Sequence, residues 1–150
     1  MKNNIKSTIT TKGAVQVIKD ELGRVKMKID SNCKETMYEY YGNTNRISRI
    51  TDSLGFEFHL NKSGSVVYEK LPNTPHDIEI WYNRKGRTIK EIFSSGTEIH
   101  YWNNGHFRYI KDKKNGVEFW YNHSGNMIIA IDPENGRFKK NLLGKFVEVR

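Results

Sequence analysis

Apolar and polar residues alternate with a period of two along most of this chain, in short runs punctuated by Asn, Asp and Gly. Phe56-Glu57-Phe58-His59-Leu60-Asn61, Ile78-Glu79-Ile80-Trp81-Tyr82-Asn83, Thr97-Glu98-Ile99-His100-Tyr101-Trp102-Asn103 and Gly116-Val117-Glu118-Phe119-Trp120-Tyr121-Asn122 each set a glutamate between apolar or aromatic neighbours. That period sends successive side chains to opposite faces of a β-strand, and no stretch carries a helical period long enough to compete. Met37-Tyr38-Glu39-Tyr40-Tyr41-Gly42 echoes the same unit. The five glutamates lie 18, 22, 19 and 20 residues apart. A period of about 20 is the mark of stacked supersecondary units, so the chain reads as a repeat protein.

Each unit holds two strand segments joined by a glycine-containing turn: Asn61-Lys62-Ser63-Gly64, Asn83-Arg84-Lys85-Gly86, Asn103-Asn104-Gly105 and Asn122-His123-Ser124-Gly125. Asparagine opens such a turn through its side-chain acceptor, and glycine takes the positive-φ position of a short hairpin loop, often with a bulge. Second strands are expected over residues 46–50, 65–71, 87–93, 106–111 and 126–131. Units close at turns over 52–55, 71–76, 94–96, 112–116 and 132–136. Residues 36–136 are thus five regular repeats. Residues 1–30 form an N-terminal cap, with a frayed arm or weak first strand before a hairpin of 15–18 and 24–29. Residues 137–150 form a C-terminal cap, the whole being a single β-repeat domain over residues 1–150. The expected fold is all-β: tandem antiparallel hairpins making a curled sheet or partial barrel, since a flat sheet would leave one aromatic face wet.

The alternation also assigns faces. Phe56, Phe58 and Leu60, Ile78, Ile80 and Tyr82, Ile99 and Tyr101, and Val117, Phe119 and Tyr121 share one side, which is expected to be the core. The other side carries Glu57 and His59, Glu79 and Trp81, Glu98 with His100 and Trp102, and Glu118 with Trp120. In the second strands the alternation is broken, most plainly where Met127-Ile128-Ile129-Ala130 run together, and it assigns no face there.

Composition sharpens this picture. The apolar fraction of 36% is low, yet 8 Tyr, 7 Phe and 3 Trp make it aromatic and strand-favouring. The net charge of +8 is carried at the ends: residues 1–30 and 137–150 hold +4 each, while 31–136 balance 13 basic against 13 acidic residues. A neutral repeat surface argues against nucleic acid, whose binders spread Lys and Arg along the contact. A single cysteine, Cys33, forms no internal disulfide. The polar start lacks an apolar signal region, and no apolar run approaches membrane-spanning length, so a cytoplasmic protein without membrane contact is expected.

Tyr38-Glu39-Tyr40-Tyr41 through Arg46-Ile47-Ser48-Arg49-Ile50-Thr51-Asp52-Ser53-Leu54-Gly55, and Trp81-Tyr82-Asn83-Arg84-Lys85-Gly86-Arg87, resemble the YD repeat of RHS proteins, roughly Tyr-x-Tyr-Asp-x-x-Gly-Arg-Leu closing on Asp-x-x-Gly. The likeness covers about residues 15–136. Asn stands where the family has Asp after the second aromatic, and Arg follows the inner glycine only at Arg87 among the clear matches. Aromatic hairpin repeats of similar length also occur in MORN-like proteins, including short bacterial antitoxin or immunity proteins. Full RHS shells need many more repeats, so the resemblance implies a small free-standing member made for binding.

No nucleophile elbow, Walker loop, HExxH or paired-cysteine motif is present, and His59, His76, His100, His106 and His123 lack metal-ligand spacing. Neither a catalytic site, a cofactor nor a metal is expected. His59 and His100 each follow a glutamate by two residues, which suits acid–base work, but a stacking ring at a repeat position is the plainer reading. The glutamates are expected to pair across strands with Arg49, Lys90 or Arg108. Because tryptophan dominates interface hot spots, the residues taken to bind a partner are Glu57, His59, Glu79, Trp81, Glu98, His100, Trp102, Glu118 and Trp120. The sequence thus points to a protein-binding module, most concretely an immunity or antitoxin protein covering a cognate toxin domain. A carbohydrate- or wall-polymer-binding module is the alternative, and nucleic acid comes last.

Overall fold

A computed structural model of the chain describes residues 8–12, 15–72, 77–141 and 143–149. Every regular element in it is a strand. The expected turn over 71–76 falls partly outside the described residues, as do residues 1–7 and 13–14 of the expected arm.

Contacts divide the chain into two units, Met1–Pro72 and Asn73–Arg150. The first holds β1 (Thr8–Lys12), β2 (Val15–Lys19), β3 (Val25–Ile29), β4 (Glu35–Tyr40), β5 (Ile47–Asp52), β6 (Glu57–Leu60) and β7 (Val66–Leu71). The second holds β8 (Ile78–Tyr82), β9 (Thr88–Phe93), β10 (Thr97–Tyr101), β11 (Phe107–Asp112), β12 (Glu118–Tyr121), β13 (Met127–Asp132), β14 (Gly136–Lys140) and β15 (Phe146–Glu148). Within each unit the strands pair antiparallel in sequence order, and first and last strands do not meet. The tandem antiparallel hairpins follow the sequence reading, and neither unit closes into a barrel.

One local device builds the inner turns. In the turn from Asn61 to Ser65, Asn61 N donates to Ser65 O and Gly64 N to Asn61 O, each at 2.9 Å. The Asn61 carboxamide oxygen accepts from Ser63 N (2.9 Å) and Ser65 N (3.1 Å). The same pattern opens on Asp20, Asn83, Asn122 and Asn141. It is a three-residue hairpin loop ending in a left-handed residue; Gly64 has φ 86°. Three residues beyond the turn glycine the register slips. Lys26, Val67, Ile89, Arg108 and Ile128 are each an extra residue with no partner across the hairpin. These bulges explain why alternation fails in the second strands: each resets the face by one. The 15–29 and 137–149 hairpins use the same turn, so both expected caps are built on the repeat's own backbone.

Residues just beyond the inner turns also tie one hairpin to the next. Arg24 reaches Gly42 O (2.8 Å) and Thr44 O (2.6 Å), Arg46 reaches Lys62 O (3.1 Å), and Arg87 reaches Asn103 O (2.6 Å). His106 Nδ1 lies 2.9 Å from His123 O. Tyr41 donates to Leu60 O. These bonds join neighbouring hairpins within one unit, beyond the ends of their shared ladders.

The expected core is corrected. No described hydrophobic side chain is buried, including Val117, Phe119 and Tyr121. Among the described residues, strands touch only their sequence neighbours, so within each unit the sheet is a single layer. The apolar face still orders itself along its strands. Ile80, Glu91, Ile99, Ile110, Phe119 and Ala130 stand opposite one another in turn. Such cross-strand neighbours contribute about 0.2–1 kcal/mol apiece, and many repeats add them up. The one polar intrusion, Glu91, accepts the Tyr101 hydroxyl at 2.7 Å. Burial and that bond raise the Tyr101 phenol far above its usual range.

Candidate functional site

The opposite face of the second unit carries two rows, set by the ladder itself. Residues directly across an antiparallel pair point to the same side. One row runs Glu79, Ile92, Glu98, Lys111, Glu118, Ile131; the other runs Trp81, Lys90, His100, Tyr109, Trp120, Ile129. Trp120 remains 37% exposed. Six of the nine sequence-predicted residues, Glu79, Trp81, Glu98, His100, Glu118 and Trp120, therefore share this face. Glu57 and His59 hold the equivalent positions in the first unit, opposite Thr51 and Arg49.

Glu39 departs from the pattern. It pairs with Arg49 next to the bulge, the place His59 and Trp81 occupy in their hairpins. Met37 stands where the later units have glutamate. The 18-residue first spacing read from the sequence joined two different positions, and from Met37 onward the structural repeat is the more even one.

Glu57, Glu98 and Glu118 are charge-paired, the first two in one recurring arrangement. Glu57 Oε1 accepts from Arg49 Nε at 2.7 Å and from His59 Nε2 at 2.6 Å. Glu98 Oε1 does the same with Lys90 Nζ at 2.8 Å and His100 Nε2 at 2.7 Å. The His59 bond, then Arg49, lowers the Glu57 carboxyl, and Lys90, then His100, lowers Glu98. Ionised carboxylates only accept, so each imidazole is the donor. Glu118 is held low chiefly by Lys111, 2.7 Å away, with Trp120 in the place of a histidine. Glu79 has no ion pair among the described residues. Cross-strand pairing is as expected for Arg49 and Lys90, whereas Arg108 pairs with none of the glutamates. Rings meet along this face within each unit: in the first His59 meets Tyr68 edge-on at 4.9 Å, and in the second His100 meets Tyr109 at 5.5 Å and Tyr109 meets Trp120 at 4.5 Å.

Trp102 is displaced from the row its alternation implied. It opens an inner turn, where three of the other regular units have Asn61, Asn83 and Asn122, with its N donating to His106 O at 2.8 Å. Its ring stacks on His123 at 3.7 Å and its Nε1 donates to Tyr121 O at 3.2 Å. Arg108 lies over the same ring, 5.0 Å from its centroid. Between Trp102 and Trp81 is an open cleft of about 720 Å³, lined also by Lys90, His100 and Arg108. Sequence reasoning missed Lys111, Tyr109 and Ile129 as members of this surface. A bulge placed three residues after each turn glycine would have found them.

Among the described residues no three His, Cys, Asp or Glu side chains are grouped to hold a metal ion. No helix among them is long and apolar enough to cross a membrane. The chemistry displayed is that of contact: a half-exposed aromatic strip edged by paired charges.

No family model matches this chain, and no curated protein does. Among solved structures, one titled "Crystal structure of GtfA/B complex bound to UDP and GlcNAc" matches at 13% identity and a TM-score of 0.25, over 85% of this chain and 24% of that one. This chain thus spans about a quarter of that protein's length, and a likeness of that size carries no argument about fold or activity.

Proposed function

We propose that the chain is a non-catalytic protein-binding module that receives its partner on the Trp81–Trp120 face. One observation carries the reading. The row Trp81, Lys90, His100, Tyr109, Trp120 lies on a single-layer sheet whose strands contact only their sequence neighbours. Aromatic side chains on a strand ladder, with Glu98 and Glu118 beside them held by their cations, lose little entropy on contact and make good anchors. The finer proposal is an immunity or antitoxin protein acting in the cytoplasm on a cognate toxin domain. It rests on the hairpin's likeness to short toxin-neutralising repeat proteins of the YD and MORN-like kind.

The test is affinity capture with the full chain, identification by mass spectrometry, and titration of the purified partner by calorimetry. Trp81→Ala and Trp120→Ala are each expected to weaken that complex by more than tenfold while leaving the circular dichroism spectrum unchanged. A purified partner bound equally well by both variants would sink the assignment of the face. Selective retention on a glycan array with no protein bound would replace it with the carbohydrate reading.

A further inference from the structure

The cleft between Trp81 and Trp102 presents cations rather than bare rings. Lys90 Nζ lies 5.1 Å over the Trp81 ring and Arg108 lies 5.0 Å over Trp102, whose other partner is the His123 ring at 3.7 Å. Lys90 is neutralised by Glu98 at 2.8 Å. Arg108 has no carboxylate partner among the described residues, although it is the exposed extra residue of the β10–β11 bulge. A guanidinium placed over an indole, with no carboxylate to meet among the described residues, has a forked N–H edge that matches a carboxylate in two parallel hydrogen bonds. A cation lies over each of the two indoles of the cleft, which favours a carboxylate over a neutral sugar ring. On the same face Arg137 stands opposite Ile131 and Lys139 opposite Ile129, both without an ion pair among the described residues, so the surroundings favour a negatively charged visitor.

We propose that this cleft is an acidic-side-chain pocket: it seats an aspartate or glutamate of the protein partner on Arg108, with the flanking apolar part of the partner's segment between Trp81 and Trp102. The pocket rests on the protein-binding reading above and adds the chemistry of the partner, an acidic segment with aromatic or aliphatic neighbours. It also gives the bulge at Arg108 a task. The extra residue puts two consecutive side chains, Arg108 and Tyr109, on the side of the Trp81–Trp120 row.

The probe is the peptide acetyl-Glu-Phe-Glu-Phe-Glu-amide, with its glutamine counterpart acetyl-Gln-Phe-Gln-Phe-Gln-amide and trigalacturonate as comparisons, titrated into the full-length chain while the indole N–H resonances of Trp81, Trp102 and Trp120 are followed by NMR. The acidic peptide is expected to shift Trp81 and Trp102, with at least tenfold weaker binding for the glutamine peptide, for Arg108→Gln, and at high salt. Arg108→Lys should recover only part of the affinity, since an ammonium lacks the fork. Equal binding of the two peptides, or an unchanged affinity in Arg108→Gln, overturns the pocket, as does trigalacturonate shifting both resonances where the acidic peptide shifts neither. Failure here is separable from failure of the parent reading. A purified partner that is lost on Trp120→Ala but retained on Arg108→Gln removes the pocket and leaves the face.

Discussion

Cys33→Gly should stabilise the protein. Cys33 is the only non-glycine described residue with positive φ, at 60°. It closes the turn from Asp30 to Lys34, which copies the Asn61 turn bond for bond. Asp30 N donates to Lys34 O and Cys33 N to Asp30 O, each at 3.1 Å, and the Asp30 carboxylate accepts from Asn32 N and Lys34 N at 2.8 and 3.0 Å. Every other turn of this pattern has glycine there. A side chain in the left-handed region costs about 1–2 kcal/mol, while glycine adds about 0.5–1 kcal/mol of unfolded-state entropy to be lost, so the net gain is about 0.5–1 kcal/mol. For a chain of this size that is a rise of about 1–4 °C in Tm. The reciprocal change, Gly64→Ala, isolates the backbone term, because a Cβ built there meets nothing within 4 Å. It should cost about 1 kcal/mol. Both are measured by thermal unfolding under reducing conditions, followed by far-ultraviolet circular dichroism. A Cys33→Gly midpoint equal to or below the wild type, together with a neutral Gly64→Ala, would refute the claim that the Asp30 and Asn61 turns impose the same left-handed position.

Two further outcomes follow from the ties between hairpins and from the charge pairs. Arg24→Ala removes the bonds to Gly42 O and Thr44 O, the ion pair with Asp20 at 2.7 Å and the contact with the Tyr40 ring at 4.4 Å. Urea unfolding should show a loss of about 1–3 kcal/mol, whereas Arg84→Ala, in an exposed turn, should stay within about 0.5 kcal/mol. The Glu57, Glu98 and Glu118 carboxyls are lowered in the fold, so their contribution is present above the ordinary carboxylate pKa of about 4.3 and is lost as pH falls through the folded values. The urea midpoint should therefore be level between about pH 7 and pH 5 and drop below about pH 4, and Lys111→Gln should flatten the drop by removing the main cause of the Glu118 shift. An identical pH profile in that variant would contradict the pairing.

The legible part of the fold was whatever depends on neighbours in sequence. Period-two alternation, Asx openings and turn glycines act within a few residues, so the hairpins, the turn chemistry and the sharing of one face by Glu79, Trp81, Glu98, His100, Glu118 and Trp120 could be read directly. Trp102 was misplaced because alternation does not say where a strand stops, and it sits at the turn position that Asn fills elsewhere. The Glu39 echo was misread for a related reason: a glutamate among aromatics looks alike at either of two places in a strand, and only the partner across the ladder tells them apart.

What the sequence by itself determined is the repeat, because each hairpin is specified by local hydrogen bonding and side-chain period. The tertiary structure alone decided that each unit is a single layer among its described residues, that Arg108 reaches the cleft, and which cations Glu57, Glu98 and Glu118 meet. Those depend on which residue stands opposite across an interstrand gap, and a one-residue bulge, a small event in sequence, reverses the side to which a residue points.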